Sequence, residues 1–402
     1  MRDLILRPAI SGLARRLIAL RDDGGRGAVA VIVAVLIGSG MLLGMAALVA
    51  DVGRLYQNRA ELQNGADAAA LAVAKSCVNG TCPASFPAAS TIATPLATAN
   101  ASKLTSGDAK VTSVCGANGA LGVGSVTCAF AAKSVCPPNP QAGANYVDVM
   151  TSTLLPNGST VLPPVFAGAL AGGQSGSTVY ACAQAEWGAP LSSTAIGFTI
   201  SGCMWNMGTG VTDKNGNGKN PPTFAPPPPY NESDPATRAT LKPFDQVIYL
   251  KGEPKGDFCA TLPNGAAAPG NFGWTSKTNC QVTINGVFYN GATGNTGGGD
   301  CEPLMQGYWQ NQTVLDVPVY DPHFVTGSGA GTGYKLLGFA PFVITGFSLP
   351  SNGGNATDWV TGKAPCNGGA WCVSGFFTHD LVPTSGTLGG TYMGLAIIKL
   401  TG

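Results

Sequence analysis

Between Arg26 and Asp51 the chain runs for 24 residues, Gly27 to Ala50, without a charged side chain. At 1.5 Å per residue a helix of that length reaches about 36 Å, enough to cross a hydrocarbon core of about 30 Å with some tilt. A cleaved signal peptide has a shorter apolar region and ends in a small-x-small site, which Leu48-Val49-Ala50 supplies poorly. The expectation is therefore a retained transmembrane helix over 27–50. Arg2, Arg7, Arg15, Arg16, Arg21 and Arg26 precede it against only Asp3, Asp22 and Asp23. Basic residues stay cytoplasmic, so 1–26 is expected to be a cytoplasmic tail of a single-pass cell-membrane protein whose remainder is exported. Residues 4–20 are basic and apolar, suited either to lying along the inner leaflet or to a solvated tail. Gly40 and Gly44 form a GxxxG pair that would let a second membrane helix approach closely.

The 12 cysteines agree with export, because none precedes Cys77. No CxxC or Cys-His cluster suggests zinc, whereas an even count beyond an apolar segment is what an oxidising compartment produces. Cys77 with Cys82 and Cys366 with Cys372 are the nearest pairs, each enclosing an Asn-Gly turn. Cys115 and Cys128 flank a Gly-rich turn, and Cys136 with Cys182 makes a longer closure. Cys203, Cys259, Cys280 and Cys301 allow three pairings, of which Cys259 with Cys280 and Cys203 with Cys301 is the one preferred on spacing.

Past Asp51 the positions Val52, Leu55, Leu62, Ala66, Ala69 and Val73 advance by threes and fours, with Arg59 filling the gap, so 51–76 reads as an extracytoplasmic helix continuing the membrane span. Its stripe serves either to pack on the protein's own ectodomain or to meet a partner helix. Gly65 is its weakest position as a helix former.

Residues 26–74 carry a G-A-x-A-V start (Gly27 to Val31), an apolar span, then Asp51, Gly53 and Arg54, Arg59, the run Leu62, Gln63, Asn64, and Ala66 to Ala72 around Asp67. This combination resembles the N-terminal module of the TadE/TadG-like family of Flp (tight-adherence) pilus-assembly proteins. The resemblance covers about an eighth of the chain. It implies a membrane component of a type IV-like pilus machine whose partners are the membrane and other pilus-assembly membrane proteins. Two family features are missing. Ile32, not Glu, stands five residues after Gly27, so pseudopilin cleavage is not expected; and no Asp-x-Ser-x-Ser run supports a von Willebrand A domain.

Charged residues make up only 11% of the chain, while Gly (57) and Pro (29) abound, which favours short strands and turns. Residues 77–190 show strand-like patches at 110–114, 125–130, 146–155 and 178–186, and form the expected first β module. The face each strand buries is not readable, because 146–152 alternates only weakly. Residues 191–402 show runs at 246–251, 281–289, 313–320, 334–347 and 391–400, and form an aromatic-rich second module with a Pro-rich loop or linker at 213–230. The expected ectodomain is mostly β and disulfide-containing, β-sandwich-like or irregular.

Catalytic and metal signatures are weak. Asp213 to Gly218 matches the first half of a calcium loop, but its twelfth position is Phe224, and Asn-Gly repeats are ordinary turn formers. His323 and His379 are the two histidines, and no Walker loop, G-x-S-x-G elbow or H-E-x-x-H motif accompanies them. Gly327 to Gly333 reads as a hairpin tip. Beyond residue 26 no basic cluster exists to meet nucleic acid. The expectation is a non-catalytic accessory protein of pilus assembly, without cofactor, nucleic acid or small-molecule substrate. The alternative is a surface adhesin or ligand-binding module on the same anchor.

Overall fold

The computed structural model describes residues 29–38, 41–79, 81–101, 108–117, 136–138, 144–166, 176–213, 215–251, 259, 272–274, 280–290, 297–326, 333–349, 354–367, 369–382 and 387–401. The basic tail, Gly40, Cys128 and the patch at 125–130 lie outside them.

Residues 29–38 are helical, and helix α1 (Met41–Val78) then runs unbroken for 38 residues. Among the described residues no helix is long and apolar enough to cross a membrane. Helix α1 meets Asp51 and Arg54 within its first four turns. After α1 the Cys77–Cys82 disulfide closes a turn, and the chain returns as α2 (Phe86–Asn100), with Pro87 in its first turn.

The two helices cover a sheet ordered β1 (Asp108–Ala117), β2 (Asn145–Leu154), β5 (Tyr180–Pro190), β18 (Leu395–Leu400) and β16 (Asp380–Leu381), with β17 (Leu388–Gly390) also on β5. All pairs are antiparallel except β16 with β18. A two-stranded ribbon, β3 (Val161–Leu162) with β4 (Ser177–Thr178), stands off the sheet. Leu62, Ala66, Ala69 and Val73 of α1 and Ala89, Ala93 and Ala97 of α2 bury against Val147 and Val149 of β2 and Ala181, Ala183 and Ala185 of β5. The stripe of α1 thus packs on the protein's own sheet from Leu62 onward, while Val52 is exposed and Leu55 half-buried.

Alanine makes this layer thin. The backbones come close enough for Thr151 Oγ1 to donate to the Leu62 carbonyl at 3.1 Å. A Cβ on Gly65 would sit 2.6 Å from the Ala97 carbonyl oxygen. Gly65, weak by helix propensity, is therefore required by close packing.

The second sheet is ordered β8 (Gln246–Lys251), β15 (Trp371–Phe377), β13 (Gly333–Ser348), β12 (Leu315–Thr326), β7 (Phe198–Ser201) and β9 (Phe272–Trp274). The strands β11 (Phe288–Asn290) and β14 (Asn355–Ala356) also pair with β13, and β6 (Ser192–Ile196) pairs with β10 (Gln281–Asn285). Helices α3 (Gly202–Gly208), α4 (Pro235–Leu241) and α5 (Gly297–Asn311) belong to this part. Its core is aromatic, with Phe198, Phe342, Phe347 and Phe377 buried among Ile200, Ile344 and Met305.

The ectodomain is mostly β with disulfides, as expected, but its first part is a helix-on-sheet layer that contains α2 inside the range 77–190. The last strand, at the end of the range 191–402, returns to pair with β5. The Pro-rich stretch within 213–230 is a packed strap: Ala225 N donates to the Phe377 carbonyl, Thr378 Oγ1 donates to the Ala225 carbonyl, and the Tyr230 ring meets Phe376 edge-on. Cys77–Cys82, Cys136–Cys182 and Cys366–Cys372 pair as expected. Cys115 is disulfide-bonded, with Cys128 outside the described residues. The remaining four correct the spacing argument, pairing as Cys203–Cys259 and Cys280–Cys301. Cys203 opens α3 while Cys280 sits just before β10 and Cys301 in α5, so the helices choose the partners.

Candidate functional site

The residues of the sequence motif gather around the lower half of α1, where the uncharged stretch ends. Asp51 turns its carboxylate onto the segment after β3, accepting from Val165 N at 3.0 Å and from Phe166 N at 3.1 and 3.3 Å. Three turns on, Gln63 Nε2 donates to the Cys182 carbonyl of β5 at 3.0 Å and to Asp67 Oδ1 at 2.9 Å. Asp67 thus orients Gln63, and Gln63 ties the helix to the sheet. Leu62 is fully buried. Gly53 stands in open space, with no atom within 4 Å of where a Cβ would be. Arg59 and Asn64 are exposed, Arg54 and Gly44 half-exposed, and Gly40 lies outside the described residues. Sequence reasoning missed Asn58, which is buried one helical turn before Leu62 while the apolar series steps through Arg59.

A shallow groove of about 350 Å³ opens beside this helix, with Val52, Leu55, Tyr56 and Arg59 on one wall and residues 177–180 on the other. Above it many apolar side chains face outward: Val29, Val31, Val35, Leu48 and Val49 are each at least 58% exposed, while Ala47 is buried.

The other candidates resolve into structural roles. Asp213 Oδ1 accepts from Asn215 N and Asn217 N, a self-capped turn in which the Asn217 backbone bond leads in holding the carboxyl below its usual range. His323 N donates to Asp321 Oδ1 in an exposed bend. His379 Nδ1 lies 2.8 Å from the Tyr392 hydroxyl, which in turn donates to the Val78 carbonyl at the end of α1. Burial lowers the His379 pKa and pushes Tyr392 up to about 12. Between β12 and β13 the last pair before the Gly-rich tip is Thr326 with Gly333; the tip lies outside the described residues.

Four enclosed carboxyls went unnoticed in the sequence, Asp148 and Asp358 buried and Asp245 and Asp316 half-buried, because nothing in spacing marks an acid as buried. Burial pushes Asp245 up to about 8, reinforced by Asp358 beside it, while Thr345 Oγ1 donates to it at 2.7 Å. Burial likewise raises Asp316 to about 7 and Asp148 to about 6 against bonds from Ser193 and Gln184. Asp358 is itself committed to Val360 N and Thr361 N. Asp148 and Asp316 lie on strands and Asp245 and Asp358 in connections beside the second sheet, each bonded to its neighbours.

Residues 27–76 match the family model described as putative Flp pilus-assembly TadE/G-like. The matched segment holds the exposed apolar residues, the Asp51 clamp and the Gln63 tie, and it ends one residue before the first disulfide. No curated protein and no solved structure matches the chain.

Proposed function

We propose that this chain is a single-pass, non-catalytic accessory component of a Flp-type pilus machine, anchored in the cell membrane by residues 27–50 with its tail cytoplasmic and its β ectodomain outside. The observation that carries the reading is the exposed apolar residues between 29 and 37 and between 45 and 49, the latter on the helix that packs into the ectodomain core, all in the segment that matches the pilus-assembly family. A span that continues as α1 passes position and orientation directly to the sheet, because Leu62, Gln63 and Ala66 leave the helix no freedom to swivel. That suits a part that holds an ectodomain at a fixed attitude among other pilus-assembly membrane proteins.

A clean deletion is expected to reduce or abolish Flp-type pili, counted by electron microscopy, while pilin synthesis continues. Normal pilus number would defeat the reading. A second reading, an anchored adhesin or ligand-binding module, draws support from one surface feature. Phe288 (66% exposed) lies opposite Lys335, whose ammonium sits 3.9 Å over the exposed Phe324 ring. Aromatic planes flanking a cation suit an anionic or glycan ligand. If Phe288→Ala with Phe324→Ala abolishes surface adhesion while pili remain normal in number, the adhesin reading replaces the first.

A further inference from the structure

Asp51 is the first charged residue after the uncharged stretch, and in the membrane-anchor reading it marks the hydrocarbon boundary on the exported side. Its carboxylate holds the backbone of Val165 and Phe166 at that same level. Both side chains are 53% exposed, and Val161 on the same ribbon is 42% exposed. Five residues further along α1, about 7.5 Å at helical rise, Tyr56 is 71% exposed. The headgroup layer on each side of a bilayer is roughly 5–8 Å thick, and aromatic residues collect in it. In the membrane-anchor reading the apolar segment, the Val165–Phe166 pair and Tyr56 therefore fall in order at the depths where a bilayer offers acyl chains, then the acyl-headgroup boundary, then the outer headgroups.

We propose that Val165 and Phe166, just after β3, form a second membrane contact that inserts at the acyl-headgroup boundary of the exported leaflet and is fixed to the anchor helix by Asp51. The proposal rests on the membrane-anchor reading above. It gives Asp51 a role that an isolated helix would not need: the carboxylate satisfies two amides at the membrane boundary, where unpaired backbone N–H groups are costly. It also sets the ectodomain directly on the bilayer, standing on the helix and this second contact together.

The test places a benzophenone photo-crosslinking amino acid at one of three positions in the full-length protein, reconstituted in vesicles of phosphatidylethanolamine and phosphatidylglycerol bearing an alkyne-tagged acyl chain. Probes at Val33 and at Phe166 are expected to give lipid adducts, and a probe at Phe288, exposed on the second sheet, to give at least tenfold less. Asp51→Ala is expected to cut the Phe166 adduct several-fold and leave the Val33 adduct unchanged. An adduct at Val33 without one at Phe166 overturns the second contact while the anchor stands, and adducts at neither overturn both. Equal adducts at Phe166 and Phe288, or a Phe166 adduct indifferent to Asp51→Ala, also overturn the second contact.

Discussion

Asp245 holds a proton that an exposed aspartate gives up near pH 4, because burial first, and the adjacent Asp358 second, push it up to about 8. Its folded pKa is above the unfolded one, so the folded state binds more protons across that interval. The stability it contributes is complete below about pH 4 and is lost as pH rises through about 8. Asp316 and Asp148 act in the same sense with upper limits of about 7 and 6. The ectodomain is therefore expected to lose stability between about pH 4 and pH 8 in urea titrations and to level off above that. Asp245→Asn, which keeps a neutral amide beside Asp358, should flatten that slope and stabilise the protein at pH 8–9. An unchanged slope would show that Asp245 is not the proton holder. Gly65 makes the opposite point about a residue with no side chain: Gly65→Val drives methyls into the Ala97 carbonyl and should cost about 1–3 kcal/mol by overpacking. A variant at least as stable as the parent in the same titration would contradict the close approach of α1 and α2.

At the scale of elements, α1 was legible because Leu62, Ala66, Ala69 and Val73 recur at helical spacing. The helix α2 was not, because Ala89, Ala93 and Ala97 sit among Thr, Ser and Pro with no charged face to contrast with them. About half of the strands were read, among them β1, β2, β5, β8, β10, β12, β13 and β18, since β-branched and aromatic runs bounded by Gly and Asn carry their own signal, whereas short strands such as β3, β4, β6, β7 and β9 were not. Strand β15 (Trp371–Phe377) was missed: buried at every position, it shows no alternation. Leu62→Ala removes the largest side chain of α1 from the first core and should cost about 2–5 kcal/mol, read by chemical denaturation. Non-reducing peptide mapping should recover Cys203–Cys259 and Cys280–Cys301. A peptide joining Cys259 to Cys280 would restore the pairing that spacing preferred and count against the placement of α3 and α5.

For the molecule as a whole, β18 is the closing element. Leu395, Ala396 and Ile397 are buried, and the strand pairs with β5 after the chain has built the entire second sheet. Ending the chain at Gly394 removes that strand, uncovers one edge of β5 and takes away part of the first core. The truncated ectodomain is expected to be protease-sensitive between residues 81 and 190, whereas ending at Leu400 should leave it resistant. Equal resistance of both would mean that the first sheet is closed without its last strand. Tyr392, just before β18, adds a second seam by donating to the Val78 carbonyl. The two parts are therefore joined by β18 within the first sheet and by Tyr392 at the end of α1, which no domain boundary drawn along the sequence conveys.

The sequence by itself determined the features that depend on local chemistry: an uncharged stretch long enough to span a bilayer, a helix after it, a cysteine-rich β region beyond, and the motif from Asp51 to Asp67 that resembles the pilus-assembly family. Each can be read from neighbours within a few residues. Tertiary structure alone decided which carboxyls are buried, why residue 65 is glycine, which of four cysteines meet, and that Asp51 grips a segment more than a hundred residues away. Those outcomes depend on distances between chain segments, and hydrophobic packing sets such distances without regard to sequence separation.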